Sequence, residues 1–187
     1  IAAATRTAIS GLDSGDRLVG IDLRPADNKV YGVSRSNRIY TIDIGSGAAS
    51  FVANLSAPVI DASLGYGIDF NPAADFAGGS SLRLTSSAGS NFAINAGTGV
   101  VGNAASNIGA GYSAVAYSNA AILPKTAPAS TALYYINSDN DTLAVASTAF
   151  NAPTITSVGA LGVDVLRANG FELLADGRAF AALNVDG

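Results

Sequence analysis

The chain contains no cysteine, histidine, methionine or tryptophan. Without cysteine there is no disulfide and no thiol nucleophile. Without histidine there is no imidazole to carry the proton in a Ser-His-Asp triad. The missing oxidisable side chains fit an oxidising setting outside the cytoplasm. Charge is scarce as well: charged residues make up 13% of the 187 positions, against roughly 25% in an average soluble protein. With ten Lys and Arg and a net charge of −4, the chain has no basic patch to neutralise phosphates, so nucleic acid is not expected as a partner. No run of about 18 apolar residues occurs, so no helical membrane span is expected. Neither a G-x-S-x-G elbow nor a Walker loop is present.

What is present is repetition. Residues 18–55, LVGIDLRPADNKVYGVSRSNRIYTIDIGSGAASFVANL, read as four short strands separated by three tight turns. Arg24-Pro25-Ala26-Asp27-Asn28 is the first turn, where Pro25 presets φ and Asn28 tolerates the left-handed region. Ser36-Asn37 is the second, and Ile44-Gly45-Ser46-Gly47 the third. RIYTID, residues 38–43, alternates apolar and polar as a half-buried strand does. Strands of five or six residues joined by such turns form antiparallel meanders.

The pattern recurs. Gly67 follows Gly20 by 47 residues, and Ala114 follows Gly67 by the same interval. Second and third copies are expected over residues 65–104 and 112–161, with longer first turns at 73–79 and 119–130. A partial fourth copy, 163–187, supplies two strands, and residues 3–9 are expected to form a strand matching the fourth of a repeat. The total is fifteen strands.

Units of this length share a core only with their neighbours, so the period sets the architecture. The fold expected is all-β: a single repeat domain, a small β-propeller of about four antiparallel four-stranded blades, with five as the alternative. Its ring would be closed by N- and C-terminal strands in one blade, which removes exposed edges. A stacked β-solenoid is the second choice.

Several phrases in this frame are specific: G-I-D-L-R-P at 20–25, G-I-D-F-N-P at 67–72, I-Y-T-I-D-I-G-S-G-A-A at 39–49 and V-G-A-L-G-V-D-V at 158–165. Together they resemble a family of bacterial secreted proteins known only as a domain of unknown function. Its members carry G-I-D-F-R-P, L-Y-T-I-D-P-A-T-G-A-A and V-G-A-L-G-V-D in the same order. The resemblance covers nearly the whole chain. It implies a propeller-like repeat fold and export, and it implies no activity. The chain begins at Ile1, and an upstream secretion signal is expected.

Three candidate sites follow. Asp22, Asp69 and Glu172 occupy one position in the first strand of three repeats. In a propeller that strand lines the central channel, where carboxylates can bind a cation. The plainer reading is that each caps the turn after it, or bonds a backbone N–H of its own blade. Ala116 stands at that position in the third repeat and breaks the series. Asp139 and Asp141, in Asn137-Ser138-Asp139-Asn140-Asp141, have the spaced oxygens of a calcium loop, but the glycine and distal glutamate of that motif are absent. A polar hairpin turn explains them without metal, and no cofactor is expected. Residues 1–12 alternate only loosely, and Ile1, Ala3, Thr5, Thr7 and Ile9 among them are candidates for self-association.

The blade that lacks a strand leaves a slot for one from a neighbouring chain. The expected role is therefore a non-catalytic extracellular structural or interaction protein. It would self-assemble as a homo-oligomer or polymer, in a surface layer or filament. A carbohydrate- or ligand-binding propeller is the alternative. A hydrolase or lyase with a channel carboxylate site is the second.

Overall fold

Turn chemistry cuts the described residues into fourteen strands. The computed structural model describes residues 5–103, 107–121, 126–166 and 170–185. The first sheet runs β1 (Leu18–Leu23), β2 (Val30–Ser34), β3 (Arg38–Ile42), β4 (Ala49–Asn54). The second has β5 (Tyr66–Phe70), β6 (Leu82–Ser86), β7 (Asn91–Ile94) and β8 (Val101–Gly102); the third has β9 (Tyr112–Tyr117), β10 (Leu133–Asn137), β11 (Thr142–Ala146) and β12 (Ile155–Ala160). The last sheet holds only β13 (Gly170–Leu173) and β14 (Ala179–Ala182). All pairings within these sheets are antiparallel and follow chain order. Asn28 and Asn37 reverse the chain at φ 57° and 59°, where a short polar side chain makes the left-handed region accessible.

Over positions 5–9 the expected N-terminal strand is not formed. Among residues 3–9, positions 5–9 have no regular structure, and residues 1–4 lie outside the described ones. Ser10 makes an isolated parallel bridge to Ala48 and donates its N–H to the Gly47 carbonyl at 3.0 Å. Ser56 makes the same bond to Gly99, at 2.9 Å, beside the second sheet. Residues 5–9 thus stand toward the first sheet as the end of β4 stands toward the second. Among the described residues they have no partner strand, and an isolated extended segment has no ladder to hold it.

One short helix was not expected from the sequence. Asn71 accepts the N–H groups of Ala73 and Ala74, both at 3.0 Å, and Pro72 opens α1 (Pro72–Asp75). The signal was legible: a capping Asn followed by Pro at the first helical position. The helix delivers Asp75, fully buried, to Arg24 Nε at 2.7 Å and to the Ala26 N–H at 2.9 Å. Ser81 donates its hydroxyl to the same carboxylate at 2.8 Å. This cluster fastens the first turn of the first sheet to the second.

The four sheets meet at their first strands: β1 contacts β5, β5 contacts β9, and β9 contacts β13. The repeating glycines allow it. A Cβ on Gly67 would lie 2.7 Å from the Ala114 Cα, and one on Gly20 would lie 3.0 Å from the Ile68 side chain. The core sits between neighbouring sheets. Tyr31, Val33 and Ile39 pack with Phe70, Leu82 and Leu84 between the first and second, where Tyr31 meets Phe70 edge-on at 5.5 Å. Tyr117 and Tyr135 are buried in the third sheet, with Phe150 edge-on to Tyr117. Ala114, Ile136 and Val165 join Phe171 and Leu183 between the third and last.

Candidate functional site

Among the described residues, the space between the first strands is lined by no charged side chain at one end and by three carboxyls at the other. One end is a cavity of about 410 Å³ lined by residues of β1 and β5 with Val115, Gly170 and Phe171. The other is about 210 Å³, and its lining includes Asp22, Asp69 and Glu172. These three lie on β1, β5 and β13. One ligating oxygen from each falls within 4.8 Å of the others. The gap expected at Ala116 does not keep them apart, because β13 packs against both β9 and β5.

Two of the carboxylates bond across sheets. Asp22 Oδ2 accepts the Phe70 N–H at 2.7 Å, and Asp69 Oδ1 accepts the Tyr117 N–H at 2.9 Å. In each case the donor lies 48 residues further on, in the first strand of the next sheet. The sequence pointed to a bond within the same blade, and Asp22 Oδ1 makes one of that kind, to the Leu23 N–H at 2.7 Å. The bond to the next sheet could not be read locally, since it depends on how closely Gly20 and Gly67 let the strands approach.

No lysine or arginine pairs with the three acids among the described residues. Burial therefore pushes the Asp22 carboxyl well above the ordinary range, and the charge of Glu172 pushes it further. Asp69 is 2% exposed; burial raises it strongly, and the charges of Asp22 and Glu172 add to this. Burial also raises Glu172, which is half-buried. Such a cluster can hold a shared proton or one small cation. The rest of the wall is Leu23, Pro25, Ala120, Ala121 and Leu174, which offers a calcium ion few of its six to eight oxygens. Both oxygens of Asp22 are engaged by backbone N–H groups, while Asp69 makes one such bond, through Oδ1. The geometry favours proton sharing.

Asp139 and Asp141 do not meet a third carboxylate among the described residues. They sit in the β10–β11 turn. The Asp139 N–H goes to Asn137 Oδ1 at 2.9 Å, and Asp141, at φ 54°, accepts the Val165 N–H at 2.8 Å. The turn is tied to the chain beyond β12. Of the self-association candidates, Thr5, Thr7 and Ile9 are exposed, while Ile1 and Ala3 lie outside the described residues.

Arg83, on β6, was not singled out in the sequence. It is 4% exposed. Its Nε donates to the Tyr117 hydroxyl at 3.1 Å, Nη1 to Asn91 Oδ1 at 3.1 Å and Nη2 to Asn151 Oδ1 at 2.9 Å. The clue was its place between Leu82 and Leu84 in the run SLRLTSS, a cation in the middle of a strand.

Residues 2–187 match a family model described as a domain of unknown function (DUF4394), and the chain belongs to that family. A search of curated proteins finds no match.

Proposed function

We propose that this member of a family without an assigned function is a non-catalytic, extracellular bacterial scaffold that joins copies of itself by strand addition. The frame we read is a small β-propeller of about four blades, with the acidic cluster as a structural hub. Four first strands around one shared space, with a cavity at each end, support that frame.

The observation that carries the reading is β14. Its four residues are all exposed, Phe180 by 54%, and its outer edge has no partner among the described residues. The Leu174 N–H donates to the Arg178 carbonyl. The two-residue alternation of an antiparallel ladder then turns the N–H groups of Ala179 and Ala181 outward. Natural edges are guarded by lysine, proline or bulges. Ala179-Phe180-Ala181-Ala182 has none of these. The strand we place there is the N-terminal stretch of a second copy. Thr5-Arg6-Thr7-Ala8-Ile9 is exposed and precedes Ser10, whose N–H bonds Gly47 as that of Ser56, after β4, bonds Gly99. A surface so poor in charge opposes association weakly.

Sedimentation across a concentration series tests the reading. The wild-type chain is expected to gain mass with concentration. Ala181→Pro removes an outward donor without touching the β13 ladder and is expected to stay monomeric. A wild-type chain that remains monomeric at high concentration would end the proposal.

A further inference from the structure

The geometry points to a binding site for an acidic sugar in the cleft between the second sheet and the β11–β12 loop, with Arg83 as its anchor. This inference does not rest on self-association. The cleft is about 640 Å³, and its wall includes Arg83, Asn71, Asn103, Asn151, Ala93 and Phe150.

Arg83 is buried and makes no ion pair among the described residues. A buried cation without a counter-charge is strongly disfavoured, so an anion that enters the cleft gains more than it would on the open surface. A guanidinium carries five N–H donors. Three are used, on Tyr117, Asn91 and Asn151. The two that remain sit one on each terminal nitrogen. A carboxylate accepts such a fork with both oxygens.

The rest of the wall selects what carries the carboxylate. Asn103 keeps its side-chain oxygen as an acceptor and Asn151 its side-chain N–H groups as donors for sugar hydroxyls, the other side of each amide being engaged within the protein. Asn103 is itself fixed, at φ 53°, by donating to the carbonyls of Asn151 at 2.6 Å and Asn91 at 3.3 Å. Phe150 and Ala93 supply an apolar surface for a ring face. Phe150 is held edge-on to Tyr117, at 5.3 Å between ring centres. Among the described residues no second cation lines the cleft, which disfavours a phosphate carrying nearly two charges. The volume is in the range of small-ligand pockets. One positive charge, several amides and one aromatic edge match a hexuronic acid.

Titration calorimetry with D-glucuronate, D-glucose and inorganic phosphate tests this. Glucuronate is expected to bind saturably. Glucose is expected to bind at least roughly tenfold more weakly, since it lacks the charge-assisted pair. Phosphate is expected to be weaker as well. Arg83→Gln is expected to abolish glucuronate binding while the strand signal in circular dichroism persists. Should that variant fail to fold, Asn151→Ala, at an exposed position of the loop, is expected to weaken binding several-fold. Four results would overturn the site: no saturable glucuronate binding, equal binding of glucose, equal binding of phosphate, or undiminished binding in a folded Arg83→Gln chain or in Asn151→Ala.

Discussion

Asp69 on β5 and Arg83 on β6 stand opposite each other on one rung of the second sheet, yet they form no ion pair. Opposite charges in that relation ordinarily attract each other. Tyr117 divides them: its backbone N–H goes to Asp69 and its hydroxyl accepts from Arg83. Among the described residues the acidic cluster is left without a cation, and the outer cleft is left with a cation and no acid. Both candidate sites arise from this one separation.

The acidic cluster sets the pH dependence of stability. Folding raises the pKa of Asp22 and Asp69 above 3.8 and that of Glu172 above 4.5. Above those ordinary values the folded chain holds more protons than the unfolded one, so stability falls as pH rises. Asp43, Asp61 and Asp176 behave in the opposite sense. Backbone N–H groups of Ser46, Ser63 and Arg178 lower their pKa, and that contribution disappears as pH falls through the lowered values. Melting temperature is therefore expected to peak near pH 4 and to decline toward pH 7 by several degrees. A melting temperature that climbs steadily from pH 4 to pH 7 would refute this assignment.

Replacing one acid separates charge from hydrogen bonding. Asp69→Asn removes a buried negative charge and keeps an oxygen for the Tyr117 N–H. It is expected to stabilise the chain at pH 7 by about 1–2 kcal/mol and to flatten the pH profile. Asp69→Ala leaves that N–H unpaired and is expected to be less stable than Asp69→Asn by about 1–3 kcal/mol. Urea unfolding at pH 7 measures both, and equal midpoints for the two variants would contradict the role given to the Tyr117 bond.

The approach of the first strands depends on Gly67. A methyl group there would meet the Ala114 backbone at 2.7 Å, which cannot rotate away. Gly67→Ala is expected to cost about 1–3 kcal/mol. A Cβ on Gly79 meets nothing within 4 Å, so Gly79→Ala is expected to stay within about 0.5 kcal/mol of wild type. Thermal melts of the pair decide the matter, and a neutral Gly67→Ala would mean that β5 and β9 are further apart than described.

Much of the fold was legible because turn residues and alternation are local. The 47-residue spacing holds for the first strands, and turn signals place the later ones, since the longer first turn sets β6 (from Leu82) 52 residues after β2 (from Val30). Residues 3–9 failed for the opposite reason: an extended run becomes a strand only where another edge accepts it, and that information is not in the run. The carboxylates were legible as a position and illegible as a cluster. Asp22, Asp69 and Glu172 share a register, but their convergence depends on how the sheets pack. Arg83 was hidden because its meaning lies in what is absent around it. A sequence shows where a cation is, and only packing shows that no acid reaches it.

Self-association through β14 is tested most directly with introduced cysteines, since the chain has none of its own. A Thr7→Cys chain is mixed with an Ala181→Cys chain of different tagged mass, under mild oxidation. The account predicts a disulfide that joins one chain of each kind, competed away by excess unmodified protein. Absence of that mixed species, with a bond forming only inside a chain that carries both substitutions, would show the N-terminal stretch filling its own slot and would contradict the account.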